Sequence, residues 1–79
     1  MITAEVALYP LKTSNGTNVI NSSINTLQDS NVDYSVNSMN THLIGTKEDV
    51  FKSLEKMFSE AHRSGGEVSM VVTITNASK

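Results

Sequence analysis

The chain has 79 residues, a formal net charge of −2 and no cysteine. This length predicts a single domain, residues 1–79, and the composition excludes disulfides and thiolate metal sites. A chain of this size buries only about 60% of its unfolded surface, so association with other copies is an expected source of stability.

The charge, hydropathy and histidine content also limit the kinds of partner that this chain could bind. Six Lys and Arg residues are scattered along the chain, which argues against nucleic-acid binding. No apolar run reaches the roughly 18 residues of a membrane span, and no basic stretch followed by an apolar region opens the sequence. The two histidines, His42 and His62, are isolated and make a poor metal set. We therefore expect no membrane or nucleic-acid partner, no metal and a cytoplasmic location.

The first segment, "MITAEVALYPL", alternates between apolar and polar residues and predicts a strand that Pro10 ends. A turn-rich stretch, "KTSNGT", leads into a helix with Ile20, Ile24 and Leu27 at helical spacing. Asn and Ser dominate its polar side, and both are weak helix formers. Tertiary packing must therefore hold this helix.

The segments "VDYSVNSM" and "NTHLIG" predict two further strands with a turn near residues 38–40. Tyr34 and Val36 are predicted to face the core. On the return strand, Thr41 and Leu43 are predicted to face away from it.

The clearest element is the second helix, "TKEDVFKSLEKMFSEAHRSGG", with Thr46 as its N-cap and Gly65 as its stop. Its predicted buried stripe consists of Val50, Phe51, Leu54, Met57, Phe58 and Ala61. "EVSMVVTITN" predicts the last strand. The order β-α-β-β-α-β is typical of a ferredoxin-like α+β fold, a four-stranded antiparallel sheet with two helices on one face.

The sheet face without helices is predicted to be small, β-branched and nearly uncharged, which is typical of a face that packs against a second sheet. The alternative is a solvated face in a Thr-rich sequence, because Thr is a good strand residue. The predicted members of this face are Thr3, Glu5, Ala7, Tyr9, Ser35, Asn37, Met39, Thr41, Leu43, Ser69, Val71, Thr73 and Thr75.

The topology gathers residues 9–17, 37–41 and 62–66 at one end of the domain. This end is rich in Ser, Asn, Thr and Gly, and it holds the start of the first helix, whose free N–H groups favour an acceptor. A few convergent uncharged polar groups are usual in a small-molecule site. Taken one at a time, these residues are also explained by structural roles, namely helix capping, turn formation, interface packing and interaction with a helix dipole.

The segments "MITAEVALYPL", "SMNTHLIG", "EAH" with the following "GG", and "VVTITN" resemble the small thiamine-binding protein family over nearly the whole chain. The resemblance implies binding of thiamine or its hydroxymethylpyrimidine moiety, and a homotetramer built from dimers through their sheets. The family hairpin reads Pro-Met-Gly-Thr; Met39 and Thr41 match it, whereas Ser38 and Asn40 replace Pro and Gly. His62 matches the family histidine of the second helix. Ile44, Ser69 and Asn76 stand where the family has a Glu and two Arg residues.

On this basis Thr41 and Asn37, with Ser14 and Thr17 of the turn, are predicted to hydrogen-bond the pyrimidine. Tyr9 and Met39 are predicted to pack on its ring faces, and His62 is a further candidate. No cofactor is expected besides this ligand.

Two alternatives stay open. A catalytic role resembling small acyl-phosphate hydrolases is disfavoured, because the loop after the first strand has Lys12 but no Arg. A regulatory or structural assembly module with another small ligand is the main alternative. The sequence decides neither between dimer and tetramer nor between a pocket within one chain and one between chains.

Overall fold

The computed structural model describes residues 1–77 as four strands and two α-helices. The elements are β1 (Ile2–Pro10), α1 (Gly16–Asn25) with a 3-10 turn (Thr26–Asp29), β2 (Asp33–Val36), β3 (Thr41–Gly45), α2 (Lys47–Gly65) and β4 (Val68–Thr75). The strands form one antiparallel sheet in the order β2-β3-β1-β4, with both helices on one face. The predicted ferredoxin-like α+β fold is confirmed.

Local capping interactions stabilise the ends of α2, whereas packing against α2 stabilises α1. The Thr46 hydroxyl accepts the Asp49 N–H at 3.1 Å, and Gly66, just beyond the helix, has φ 77°, a conformation that glycine adopts without strain. Asn15 precedes α1 without a side-chain capping bond. Instead, the buried Ser23 hydroxyl donates to the Met57 carbonyl at 2.7 Å. As expected, α1 is held by its neighbour.

The core lies between the sheet and the helices. It combines Ala4, Val6 and Leu43 of the sheet with buried residues of both helices and of the 3-10 turn, such as Leu27 and Met57. Direct cross-strand partners share a face, so Ala4 opposite Leu43 and Val6 opposite Thr41 place both β3 residues under the helices.

The predicted facing of β3 was therefore wrong. Thr41 and Leu43 belong to the helix side, and His42 and Ile44 lie on the helix-free face, which we define as the sheet surface opposite the helices. The reason is the length of the hairpin loop. Four residues, 37–40, separate Val36 from its direct partner Thr41, so even-numbered residues of β2 share a face with odd-numbered residues of β3.

The predicted burial of Phe51 and Phe58 was also wrong. Their exposed fractions are 51% and 42%, whereas Val50, Leu54 and Met57 are buried. Ser53 takes the remaining inward position of α2 and donates its hydroxyl to the Asp49 carbonyl at 2.8 Å. The buried stripe of α2 is thus shifted towards α1, and the aromatic residues fall on its opposite flank.

β1 is longer than its partner strand, and this difference creates a gap in the sheet. The pairing of β1 with β3 ends at Val6 and Thr41, but β1 continues to Pro10 and pairs there with β4 alone. The hairpin loop, residues 37–40, lies beside this unpaired end of β1.

Candidate functional site

A cavity of about 400 Å³ lies at this gap, between α1, the end of β1 and the hairpin loop. We call it the hairpin cavity. Its volume falls within the range of about 300–1,000 Å³ that is usual for small-molecule sites. The unpaired end of β1 borders it, so backbone groups of this strand without a β3 partner are available there.

The lining of the hairpin cavity is apolar with a few uncharged polar groups. Leu8, Ile20, Ile24 and Val36 supply aliphatic surface, and half-buried Ile20 and Ile24 project from α1 at a spacing of one turn. The polar side chains are Tyr9, Asn21, Asn37, Ser38, Asn40 and Thr41. Among the described residues that line the cavity, none is Asp, Glu, Lys, Arg or His. Such a lining favours an uncharged ligand group, because burying an unpaired charge is costly.

Asn37 shapes the loop that closes the cavity. Its side-chain oxygen accepts the N–H groups of Met39 and Asn40, both at 3.0 Å, and its own N–H donates to the Asn40 carbonyl at 3.0 Å. This local turn uses the acceptor of the Asn37 amide. Only its amino group therefore remains for a ligand.

Asn40 lines the hairpin cavity, although the sequence analysis did not select it as a candidate. Its side-chain oxygen is buried and has no hydrogen-bond partner among residues 1–77. An unpaired buried acceptor of this kind costs about 1–3 kcal/mol. The available signal was the amide side chain of Asn40 in the hairpin loop, because it adds a polar group there.

The predicted site residues divide into two groups. Tyr9, Asn37, Met39 and Thr41 line the hairpin cavity together, and Thr41 is 5% exposed there.

Ser14, Thr17 and His62 lie outside this lining. Ser14 and Thr17 are exposed at the start of α1, and the His62 ring Nδ1 lies 3.0 Å from the Gly66 carbonyl at the end of α2. A contact with a ligand at these three positions stays a prediction.

A second, shallower space of about 230 Å³ opens on the helix-free face, and we call it the outer cleft. It shares four lining residues with the hairpin cavity, namely Ala7, Tyr9, Met39 and Asn40. The two spaces therefore meet beside the unpaired end of β1. Glu5 lines the outer cleft, and its carboxylate lies 3.2 Å from the His42 ring on the same face. A carboxylate thus lies on one side of the sheet and an uncharged cavity on the other.

Other charged groups lie away from both spaces. The hydrogen bond from Arg63 lowers the pKa of the Glu60 carboxyl, and this pair lies near the end of α2 with Nε 3.0 Å from Oε1.

Within residues 1–77, no group of three His, Asp or Glu side chains is placed to hold a metal ion. Neither helix in that range is long and apolar enough to cross a membrane.

The βαββαβ sheet with a cavity beside its hairpin defines a small α+β domain of the ferredoxin-like class. The profile of the YKOF-related family matches residues 1–78, and the chain belongs to that family. No curated protein matches the chain significantly.

Solved structures confirm the fold at low sequence identity. A Streptococcus pneumoniae protein shares 22% identity with a TM-score of 0.90, covering 98% of this chain and 87% of that one. A domain of unknown function from Bacillus cereus shares 24% identity with a TM-score of 0.86, covering 96% and 75%. A Thermotoga maritima protein, whose name assigns it provisionally to thiamine biosynthesis or salvage, shares 16% identity with a TM-score of 0.84, covering 96% and 83%.

Proposed function

We propose that this chain binds thiamine or its hydroxymethylpyrimidine moiety and does not transform it. The observation that carries the proposal is the pairing of an uncharged cavity with a carboxylate-lined cleft that meets it. The family match and the provisional name of the Thermotoga maritima neighbour support the same ligand class.

The aminopyrimidine suits the hairpin cavity. Its ring nitrogens accept hydrogen bonds and its amino group donates them, while the ring itself is neutral. The Thr41 hydroxyl and the free amino group of Asn37 are the proposed donors to the ring nitrogens. The unpaired Asn40 oxygen is an acceptor that the ligand amino group satisfies once the side chain turns into the cavity.

The thiazolium ring of thiamine carries a positive charge that the lining of the hairpin cavity does not match. The outer cleft offers Glu5, so we place the thiazolium there, across the shared residues Tyr9 and Met39. A thiazolium in the outer cleft would be stabilised by the Glu5 carboxylate, although water screens the attraction between partly exposed charges. Thiamine would then span the gap beside β1, and hydroxymethylpyrimidine would occupy one half of it.

Assembly through the helix-free face completes the proposal. The face presents Ile44, Val71 and several Thr residues, with Glu5 and His42 paired at its centre. Two such faces stack at about 10 Å, and the proposed product is a homotetramer built as a dimer of dimers. The outer cleft opens on this face, so a second copy would enclose the thiazolium end of the ligand.

An assembly module that responds to a different small ligand is the second candidate. The observation in its favour is the hairpin itself, where Asn40 lines the hairpin cavity in place of the glycine that the resemblance implies. An uncharged lining also suits other neutral heterocycles.

Calorimetric titration separates these candidates. The protein, with its mass verified by light scattering, is titrated with thiamine, with hydroxymethylpyrimidine and with the isolated hydroxyethylthiazole. We expect saturable heat from the first two at a simple ratio per chain and none from the third. Absence of heat from the first two, with a folded oligomer, would reject the thiamine proposal and leave the second candidate.

A further inference from the structure

The backbone groups of β1 point alternately to its two neighbouring strands. The Leu11 N–H donates to the Glu67 carbonyl at 2.8 Å, one step beyond the pairing of Pro10 with Val68, so Leu11 and Glu67 form a hydrogen-bonded pair. Directly opposed residues of antiparallel strands alternate between exchanging both backbone bonds and exchanging none. Odd-numbered residues of β1 therefore bond to β4, and the N–H and C=O groups of even-numbered residues point to the side of β3.

Leu8 is the even-numbered residue that faces the gap in the sheet. The pairing of β1 with β3 ends at Val6 and Thr41, and Leu8 follows two residues later. Within residues 1–77, no strand opposes its N–H and C=O on that side. Pro10, the next even-numbered residue, has no N–H. Because Leu8 lines the hairpin cavity, it offers a donor and an acceptor side by side to a molecule bound there.

The turn of the hairpin loop keeps this position open. If β3 continued in the same register, Met39 would lie opposite Leu8. The Met39 N–H is instead bonded to the side-chain oxygen of Asn37 at 3.0 Å. The donor that would bond to the Leu8 carbonyl in a longer β3 is therefore already engaged, and Leu8 needs another partner.

We propose that Leu8 binds the ligand through its backbone, and that the site selects a planar heterocycle with a primary amino group beside a ring nitrogen. This inference rests on the proposed binding of hydroxymethylpyrimidine and names the edge of the ring that is recognised. The Leu8 N–H donates to the ring nitrogen, and the amino group donates to the Leu8 carbonyl. The side-chain donors then have narrower roles: Thr41 donates to the other ring nitrogen, and Asn37 donates to the hydroxymethyl oxygen.

Asn40 makes the site selective for an amino group over an oxo group. Leu8 alone does not distinguish them, because an oxo group beside a ring N–H pairs with the same donor and acceptor in the opposite orientation. An amino group, however, has a second hydrogen. The Asn40 side-chain oxygen, buried without a partner among residues 1–77, accepts it once the side chain turns into the cavity. An oxo group leaves this acceptor unpaired, which is an effective basis for rejecting a ligand.

Hydrogen exchange at single amides, followed by NMR, tests the Leu8 contact in the wild-type protein. With hydroxymethylpyrimidine at about ten times its Kd, the Leu8 amide should exchange about 10-fold more slowly than in the free protein. The Val72 amide points away from β1 and should not change. Saturable calorimetric heat with unchanged exchange at Leu8 would overturn this inference and leave the proposed function standing. No heat from a folded protein would reject the proposed function, and this inference with it.

Two substitutions separate the Leu8 N–H from its side chain. Leu8→Pro removes the N–H, whereas Leu8→Ala keeps it and shortens the side chain. Since this N–H does not point to β4, Leu8→Pro breaks no bond of the sheet. We expect Leu8→Pro to bind hydroxymethylpyrimidine at least about 10-fold more weakly than Leu8→Ala does, with circular dichroism verifying both folds. Equal affinities of the two folded variants would refute the contact. If Leu8→Pro does not fold, the exchange measurement on the wild type decides.

Two ligand analogues test the role of Asn40. In one, an oxo group replaces the amino group, and in the other, two methyl groups replace the amino hydrogens. The wild type should bind hydroxymethylpyrimidine at least about 10-fold more tightly than either analogue. Asn40→Ala should lose most of the preference over the oxo analogue. Asn18→Ala, the same change at an exposed position outside the cavity, should keep it. Equal binding of the amino and oxo compounds by the wild type would show that Asn40 does not select the ligand.

Discussion

Replacing the Thr41 hydroxyl tests the site most directly. Thr41→Val keeps the branched shape at a position that is 5% exposed, opposite Val6 and Val36 in the sheet, so the fold should tolerate it. If Thr41 donates to the pyrimidine, the loss leaves a ligand acceptor unpaired and costs about 1–3 kcal/mol of binding. That range corresponds to an affinity reduced by about 5- to 140-fold.

The assay is calorimetric titration with hydroxymethylpyrimidine, alongside unfolding by urea. Thr75→Val is the matched control, because it makes the same chemical change at an exposed position outside the hairpin cavity. We expect Thr41→Val to lose affinity with an unfolding midpoint equal to or above that of the wild type, and Thr75→Val to bind normally. Unchanged affinity of a folded Thr41→Val protein would refute the proposed contact.

Three further substitutions test the site and the packing that positions it. Glu5→Gln should weaken binding of thiamine but not of hydroxymethylpyrimidine, because only the former carries a thiazolium; equal losses by calorimetry would contradict the outer-cleft assignment. Ser23→Ala should lower the free energy of unfolding by about 1 kcal/mol, since it removes the bond to the Met57 carbonyl, whereas exposed Ser59→Ala should not; urea unfolding measures both. Gly65→Ala places a Cβ 2.8 Å from the buried Val19, so an overpacking cost of about 1–3 kcal/mol should exceed the roughly 0.5–1 kcal/mol gained in helix propensity. Adding Val19→Ala should recover part of that loss, and strictly additive effects would show that no steric conflict exists.

Several features were predictable because they depend on neighbouring residues. Patterns a few residues long predict the alternation of β1, the Thr46 cap and the six-element order, with the 3-10 turn counted as part of the first helix. The placement of Tyr9, Asn37, Met39 and Thr41 beside one cavity followed from topology, which brings the end of β1 and the hairpin together.

The facing of Thr41 shows where local reasoning ends. The alternation along β3 was predicted correctly. Which of its residues face the helices, however, depends on the number of loop residues between the paired positions Val36 and Thr41. Counting Met39 as part of a strand placed the whole of β3 on the wrong side, because a shift of one residue exchanges the two faces. Phe51 and Phe58 illustrate the same limit for a helix, since the apolar arc of α2 is wider than the surface that its neighbours cover.

The sequence by itself determined the elements, their order and the uncharged character of the segments around the hairpin, because these depend on composition and periodicity. Only the tertiary structure decided that β3 stops at Thr41 while β1 continues to Pro10, leaving the gap that forms the hairpin cavity. It also decided that the Asn37 oxygen holds the loop and that the Asn40 oxygen is left unpaired. These properties depend on how far two strands pair and on which polar atoms meet, and residues distant in the chain set both.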